Sequence, residues 1–239
     1  MDPDKHYGLV ALLPMKAHSA RVISKNFRTF AGKPLFRWIL DNLLETPGVE
    51  LVVINTDARE ILRENGLEDS YGGKVLIRDR KPELCGDFVS MNLVLADDVA
   101  AISADAYLMT HTTNPLLSPD TMGAAIGKYQ AANAAGAADS LFTVNKFQTR
   151  FYRANGSAVN HDPDNLIRTQ DLEPWFEENS NLYLFSRESF AATNARIGKT
   201  PIMHEIPKLE AADIDDAEDW MIAEAVARYQ GERPESETA

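Results

Sequence analysis

Residues 8–14 read GLVALLP and residues 49–56 read VELVVINT, two apolar runs that contain a single charge between them. A strand that is apolar on both faces must be covered on both faces, which is the condition of an interior strand in a parallel sheet. Helical patterns separate these runs. Pro34 suits the first turn of a helix that places Leu35, Ile39 and Leu43 on one side. Asp57 is a cap, and Gly66 a stop, for a helix over 58–65. Further helices are expected over 90–102, 120–132 and 216–229, the last with Trp220, Ala223 and Val226/Ala227 inward. Shorter strands are expected over 74–77, 107–110, 140–144, 181–185 and 201–206. This alternation predicts an α/β fold, a layered and mostly parallel sheet with helices on both faces. Residues 145–179 break the pattern: they are polar and turn-rich, with N155-G and D162-P-D-N as turn signals, and read as a β-ribbon or arm projecting from the sheet.

With 239 residues, 44% of them hydrophobic, the chain can bury one full core, so a single domain over 1–239 is expected, with a disordered tail over about 231–239. The formal charge is 24 − 36 = −12, which argues against a protein that coats nucleic acid or an anionic membrane. The single cysteine, Cys85, excludes a disulfide within the chain and suits a reducing compartment. No apolar run approaches the ~18 residues that span a bilayer, and the first residues lack the form of a signal peptide. A cytoplasmic protein is expected.

Against this acidic background, residues 5–40 carry seven Lys or Arg and no carboxylate. The basic stretch follows the first apolar run, and the carboxyl ends of strands are where open α/β sheets bind ligands. Lys16, Arg21, Lys25 and Arg28, with Ser19, Ser24 and Asn26, make either a polyphosphate pocket or a solvated basic loop. Residues 15–25 contain no glycine, which excludes a dinucleotide fingerprint, and A31-G-K-P lacks the upstream glycine of a Walker A loop.

Near the other end lies D213-I-D-D-A-E-D219. Asp213 and Asp215, one residue apart in an extended segment, point to one side and suit Mg²⁺, which takes carboxylate and phosphate oxygens. The alternative is a helix cap, with Asp215 or Asp216 capping and Glu218 or Asp219 completing a capping box. Both roles are compatible if Asp216 serves the helix.

The motifs resemble, in order, those of the cytidylyltransferases that activate sugar acids, the family of CMP-sialic acid (acylneuraminate) synthetases. That family carries A-R-x-x-S-K-R-x-x-x-K-N and then G-K-P-L; here the register reads M15-K-A-H-S-A-R-V-I-S-K-N26 and G32-K-P-L35. I54-N-T-D57 is similar to V-S-T-D, R80-K-P-E-L-C-G-D87 to R-P-x-x-L-x-x-D, and H111-T-T-N-P-L116 to Q-P-T-S-P-L. N179-S-N-L-Y183 stands for N-G-A-I-Y, and the Asp213–Asp219 motif for D-I-D-T-x-x-D. The resemblance implies a Rossmann-like sheet and transfer of CMP from CTP to an anionic acceptor, with release of pyrophosphate. It assigns Lys16, Arg21 and Lys25 to the triphosphate as catalytic cations. It assigns Leu13, Met15, Ser19, Asn26, Arg80 and Ser90 to the nucleotide, and Asp213 and Asp215 to Mg²⁺. It also implies a homodimer formed through the arm, with Arg168 and Gln170 candidates to reach an acceptor, in a neighbouring subunit if not in their own.

Several positions depart from the family. Lys16 replaces Arg, Ala20 a Lys, and Ile23 a common Pro. His111 replaces a Gln that touches the sugar acid, leaving three readings: an acceptor contact, a general base near neutral pH, or a packed histidine at a strand end. E177-E-N-S180 replaces an R-P-N-G type segment, so two acids stand where a cation would meet the acceptor. The acceptor is therefore either an acylneuraminate-like sugar acid or a phosphonate (phosphonocarboxylate). A non-catalytic nucleotide-binding protein on the same fold is the competing class.

Overall fold

The computed structural model describes residues 5–17 and 24–232. In chain order it contains β1 (His6–Leu12), a short hairpin of β2 (Thr29–Phe30) and β3 (Lys33–Pro34), α1 (Leu35–Glu45), β4 (Leu51–Thr56), α2 (Arg59–Glu64) and β5 (Val75–Asp79). There follow α3 (Met91–Ala101), β6 (Ser103–Thr110), α4 (Pro119–Ala134), β7 (Ser140–Phe147), β8 (Trp175–Phe185), α5 (Arg187–Thr193), β9 (Pro201–Glu205) and α6 (Ala217–Glu232).

Seven strands form one sheet in the order β5-β4-β1-β6-β8-β7-β9. β5, β4, β1 and β6 are mutually parallel; β8 alone runs against both its neighbours, and β9 is parallel to β7. The doubly apolar runs occupy the middle, as burial on both faces requires: every residue of β4 is buried. Leu9 and Ala11 of β1 join a core with Phe36, Ile39 and Leu43 of α1 and Met122 and Ile126 of α4. Val10 and Leu12 join the opposite core, with Leu95 and Val99 of α3 and Phe190 of α5. Helices therefore cover both faces.

Several local expectations shift. Pro34 is the residue before α1 rather than within its first turn. Gly66 does end α2, at φ 72°, with the Leu67 N–H on the Leu62 carbonyl. Asp57 does not cap α2; its carboxylate accepts from the Ala17 N–H at 2.7 Å and so pins the basic loop to the end of β4. The expected arm is partly strand: β7 and β8 continue as a paired ribbon to Phe147 and Trp175. Their register slips between Phe142 and Val144, where Ser180 takes a left-handed φ of 57°. Beyond the ribbon the arm holds a Tyr152–Ala158 bridge and a 3-10 turn over Thr169–Asp171. Residues 233–239 of the expected tail lie outside the described residues, and 231–232 belong to α6.

Candidate active site

Beyond the carboxyl ends of β1, β4, β5 and β6 opens a cavity of about 590 Å³. Met15, Lys16, Lys25, Asn26, Arg80 and His111 supply most of its polar and charged lining. These side chains come from the loops that follow β1, β5 and β6, three parallel strands that end at the same edge of the sheet. Ser19 and Arg21 lie outside the described residues.

Lys25 stands in a short 3-10 turn (Lys25–Phe27) that follows the left-handed Ser24. It is buried, and its ammonium donates to the Ile214 carbonyl at 2.6 Å. Ile214 sits between Asp213 and Asp215. The same segment is held at the end of β6, with the Ile214 N–H donating to the Thr113 carbonyl at 2.9 Å. The basic turn thus ties the acidic motif to the cavity through Lys25, although neither Asp213 nor Asp215 is among the residues that line it.

Asp216 caps α6: it accepts from the Glu218 and Asp219 N–H groups, while Asp219 accepts from the Asp215 and Asp216 N–H groups. This is a reciprocal capping box, and it leaves Asp213 and Asp215 outside the cap proper. Burial raises the Asp213 pKa, opposed by a hydrogen bond from Thr113 and reinforced by the neighbouring Asp215 charge. Asp213 Oδ1 is buried with no hydrogen-bond partner among the described residues. A buried, unsatisfied carboxylate oxygen beside a second carboxylate fits a hard divalent cation. No group of three or more His, Cys, Asp or Glu gathers among the described residues, so such an ion would take its remaining ligands from substrate or water.

Arg80 is fixed from three sides. Its Nε donates to Asn55 Oδ1 at 3.0 Å, and one Nη donates to the carbonyls of Asn55 at 2.8 Å and Met15 at 3.1 Å. Its other Nη has no acceptor among the described residues. Burial lowers its pKa without threatening its charge. Asn55 in turn donates to the fully buried Asp98 of α3 at 2.8 Å, and Asp98 also accepts from Arg78.

Lys16 pairs with Asp87 at 2.6 Å across the cavity. Asn26 spends its amide within the protein, donating to the Lys16 carbonyl at 2.8 Å and accepting from Thr112 at 2.6 Å. Burial, helped by the positive Arg196 and Lys25, pushes His111 down to about 4, so it is neutral at pH 7. A neutral imidazole with that pKa is a weak base, and it offers hydrogen bonds rather than charge.

Other expected residues lie apart. Leu13 is fully buried in the α1 core, while Met15, two residues on, reaches the cavity. Ser90 precedes α3 and lines a second, smaller cavity of about 400 Å³. Arg28 stacks on the Trp220 ring at 4.6 Å. Arg168 is paired with Asp171 on the arm, and the Gln170 carbonyl accepts from Gln148 there; neither residue lines a cavity of its own chain. Sequence reasoning did not single out Asn55, Asp98 or Thr112 as supports, nor Arg196 beside the second cavity. The fully exposed Phe88 on the rim was equally missed, although it directly follows the R80–D87 motif.

Residues 10–229 match the sequence profile of the family described as cytidylyltransferase. The chain is 27% identical over 227 residues to N-acylneuraminate cytidylyltransferase B of Danio rerio, covering 92% of this chain and 51% of that protein. It is 24% identical over 237 residues to the CMP-N,N'-diacetyllegionaminic acid synthase of Legionella pneumophila, covering 94% and 98%. It is 23% identical over 235 residues to a pseudaminic acid cytidylyltransferase of Campylobacter jejuni, covering 93% and 97%. The chain thus spans about half the length of the fish N-acylneuraminate relatives and nearly all of these two bacterial ones. In fold it is similar to a CMP:2-keto-3-deoxy-manno-octonic acid synthetase solved with CTP, at TM-score 0.64 and 15% identity, covering 93% of this chain and 99% of that one.

Proposed function

Because this chain belongs to the cytidylyltransferase family, we propose that it transfers CMP from CTP to a sugar acid and releases pyrophosphate. The observation that carries the reading is the Lys25–Ile214 contact, which ties a cation lining the cavity to the backbone between Asp213 and Asp215. An acceptor oxygen attacks the α-phosphorus, the P–O bond to the β-phosphate breaks, and the acceptor proton passes to solvent or a nearby base. Such chemistry is driven by positioning and by neutralisation of charge. Lys16 and Lys25 supply positive charge to the triphosphate, with Arg21 and Ser19 assigned the same task. The remaining Nη of Arg80 is assigned to the cytosine carbonyl, and the exposed Phe88 ring at the cavity rim supports a stacking face beside it. Asp213 and Asp215 are assigned to Mg²⁺, which when bound neutralises and orients phosphate oxygens. His111 meets the acceptor as a neutral hydrogen-bonding group.

The arm leaves Phe147, Tyr152, Leu166, Ile167, Trp175 and Phe176 exposed, which favours a homodimer through this ribbon. Arg168 and Gln170 would then serve the partner's site. Among the described residues no helix is long and apolar enough to cross a membrane, and the lone Cys85 suits the cytoplasm.

The test is pyrophosphate release from CTP with Mg²⁺ and a panel of N-acetylneuraminate, legionaminate, pseudaminate and phosphonoacetate, with ATP, GTP and UTP as nucleotide controls. Release with CTP and a sugar acid supports the reading. Release with phosphonoacetate alone redirects it to a phosphonate cytidylyltransferase. CTP binding without turnover of any acceptor overturns it in favour of a non-catalytic binder.

A further inference from the structure

The second cavity adjoins the first, with Met91 lining both. Its charged groups are Arg196, from the segment after α5, and Glu178, from the bulged part of β8. The Arg196 guanidinium lies over the Tyr183 ring at 4.1 Å, and one Nη donates to the Tyr183 hydroxyl at 3.1 Å. Glu178 accepts from that hydroxyl on its other side and stands 3.9 Å from Arg196, too far for a direct hydrogen bond. The Nε and second Nη of Arg196 have no acceptor among the described residues; each forms a two-donor edge with the Nη that serves Tyr183, and because that Nη carries a second hydrogen, one edge of the fork remains for an anion. The first turn of α3 adds to this: Ser90 does not cap it with its side chain, and while the Leu93 N–H donates to the Ser90 carbonyl, those of Met91 and Asn92 have no acceptor among the described residues. Asn92, whose Oδ1 is buried with no partner among the described residues, lines the same space.

We propose that Arg196 and Glu178 are the specificity-determining pair for the acceptor: Arg196 binds its acid group through the free edge of the fork, and Glu178 accepts from a hydroxyl or amide N–H while repelling a second negative charge. The inference rests on the function proposed above. One cation and one carboxylate leave the cavity with no net charge of its own. A monoanion rich in donors, such as a sugar acid, satisfies both groups. A phosphonocarboxylate brings two or three negative charges against Glu178 and has no donor for it. Tyr183 keeps the two groups apart and oriented, since its hydroxyl bonds to both. The positive field that holds His111 neutral comes partly from Arg196, which agrees with the guanidinium facing the junction of the two cavities.

The test compares N-acetylneuraminate or the best sugar acid of the panel with its methyl ester, and with phosphonoacetate, in wild type, Arg196→Met, Arg196→Lys and Glu178→Gln. Arg196→Met keeps an unbranched stem on the Tyr183 ring, and Arg196→Lys keeps the charge without the fork. The expected result is an acceptor KM raised about 10- to 100-fold in Arg196→Met, with the KM for CTP unchanged and a smaller rise in Arg196→Lys. The advantage of the acid over the ester should vanish in Arg196→Met, and phosphonoacetate should bind better to Glu178→Gln than to wild type. An unchanged acceptor KM and an undiminished acid preference in Arg196→Met, in an enzyme that turns over normally, overturn this inference and leave the proposed function standing. Failure of wild type to release pyrophosphate with any acceptor overturns both.

Discussion

The ammonium of Lys25 and the carbonyl of Ile214 are 2.6 Å apart, although 189 positions of sequence separate them. The contact sets a cation against the backbone between Asp213 and Asp215, where its charge opposes the rise that burial imposes on the Asp213 pKa. It also gives the closing segment, which has no strand or helix of its own there, a fixed place above β6.

Lys25 therefore has two consequences when removed. Lys25→Met should lower kcat by about 10²- to 10³-fold, the range for loss of one preorganised donor at a site of developing charge. It should also destabilise the fold by about 1–3 kcal/mol, since a charged donor to a buried carbonyl is lost. Pyrophosphate release and a urea melt of the same variant check the two effects. Unchanged turnover would remove Lys25 from the triphosphate site.

The acidic motif divides its labour, and the division is measurable. Asp216→Ala removes the α6 cap and should cost about 1 kcal/mol, a fall in Tm of about 2–4 °C, with turnover nearly unchanged. Asp213→Asn should do the reverse. It relieves a buried carboxylate of its desolvation, leaving the Tm equal or higher, and abolishes Mg²⁺-dependent pyrophosphate release. Chelation of the metal should silence the wild type to the same degree. Comparable activity loss in both variants would mean that the motif acts as one structural unit.

The parts of this arrangement differ in how far they could be read from sequence. The buried runs of β1 and β4 announce themselves because both faces are apolar, and the basic loop stands out against an acidic chain. The β2–β3 hairpin is two residues on each side, too short for any periodicity. Helix α5 begins with Ser186 and Ser189 in a capping box where Glu or Gln is the usual signal. The ribbon parts of β7 and β8 carry no buried face, so their polarity read as arm. Asn55 and Asp98 were invisible as supports of Arg80 because the contacts link positions 25 and 43 residues apart, and only the sheet brings them together. Arg196 was missed for a different reason: it lies after α5, a helix that the pattern did not show.

The support of Arg80 gives the third expectation. Asn55 is fully buried and bridges Arg80 to Asp98, so Asn55→Ala leaves the guanidinium held only by carbonyls. A positioning residue acts through Arg80, and the KM for CTP should rise about tenfold with kcat less affected. Stability should fall by about 1–3 kcal/mol, because Asp98 loses one of its two partners. Asn55→Gln, which keeps the amide, should restore part of the stability but little of the nucleotide affinity. An unaltered KM for CTP in Asn55→Ala would show that Arg80 does not depend on it.

His111 supplies a pH signature whose direction is fixed by its environment. Its pKa falls from 6.5 to about 4 on folding, because burial and two positive neighbours disfavour the imidazolium. Between those values the unfolded chain binds the proton and the folded chain does not, so protonation favours unfolding. The penalty is absent above about pH 6.5, grows as pH falls, and levels off below about pH 4 at up to about 3 kcal/mol. Replacing His111 by Gln removes the titrating group while keeping hydrogen-bonding capacity. Denaturant melts at pH 7, 5.5 and 4 should therefore show the wild type losing stability relative to His111→Gln as the solution is acidified. Over pH 6–8 the rate profile should carry no ionisation from this residue, and an inflection there that disappears in His111→Gln would mean that the imidazole titrates near neutrality.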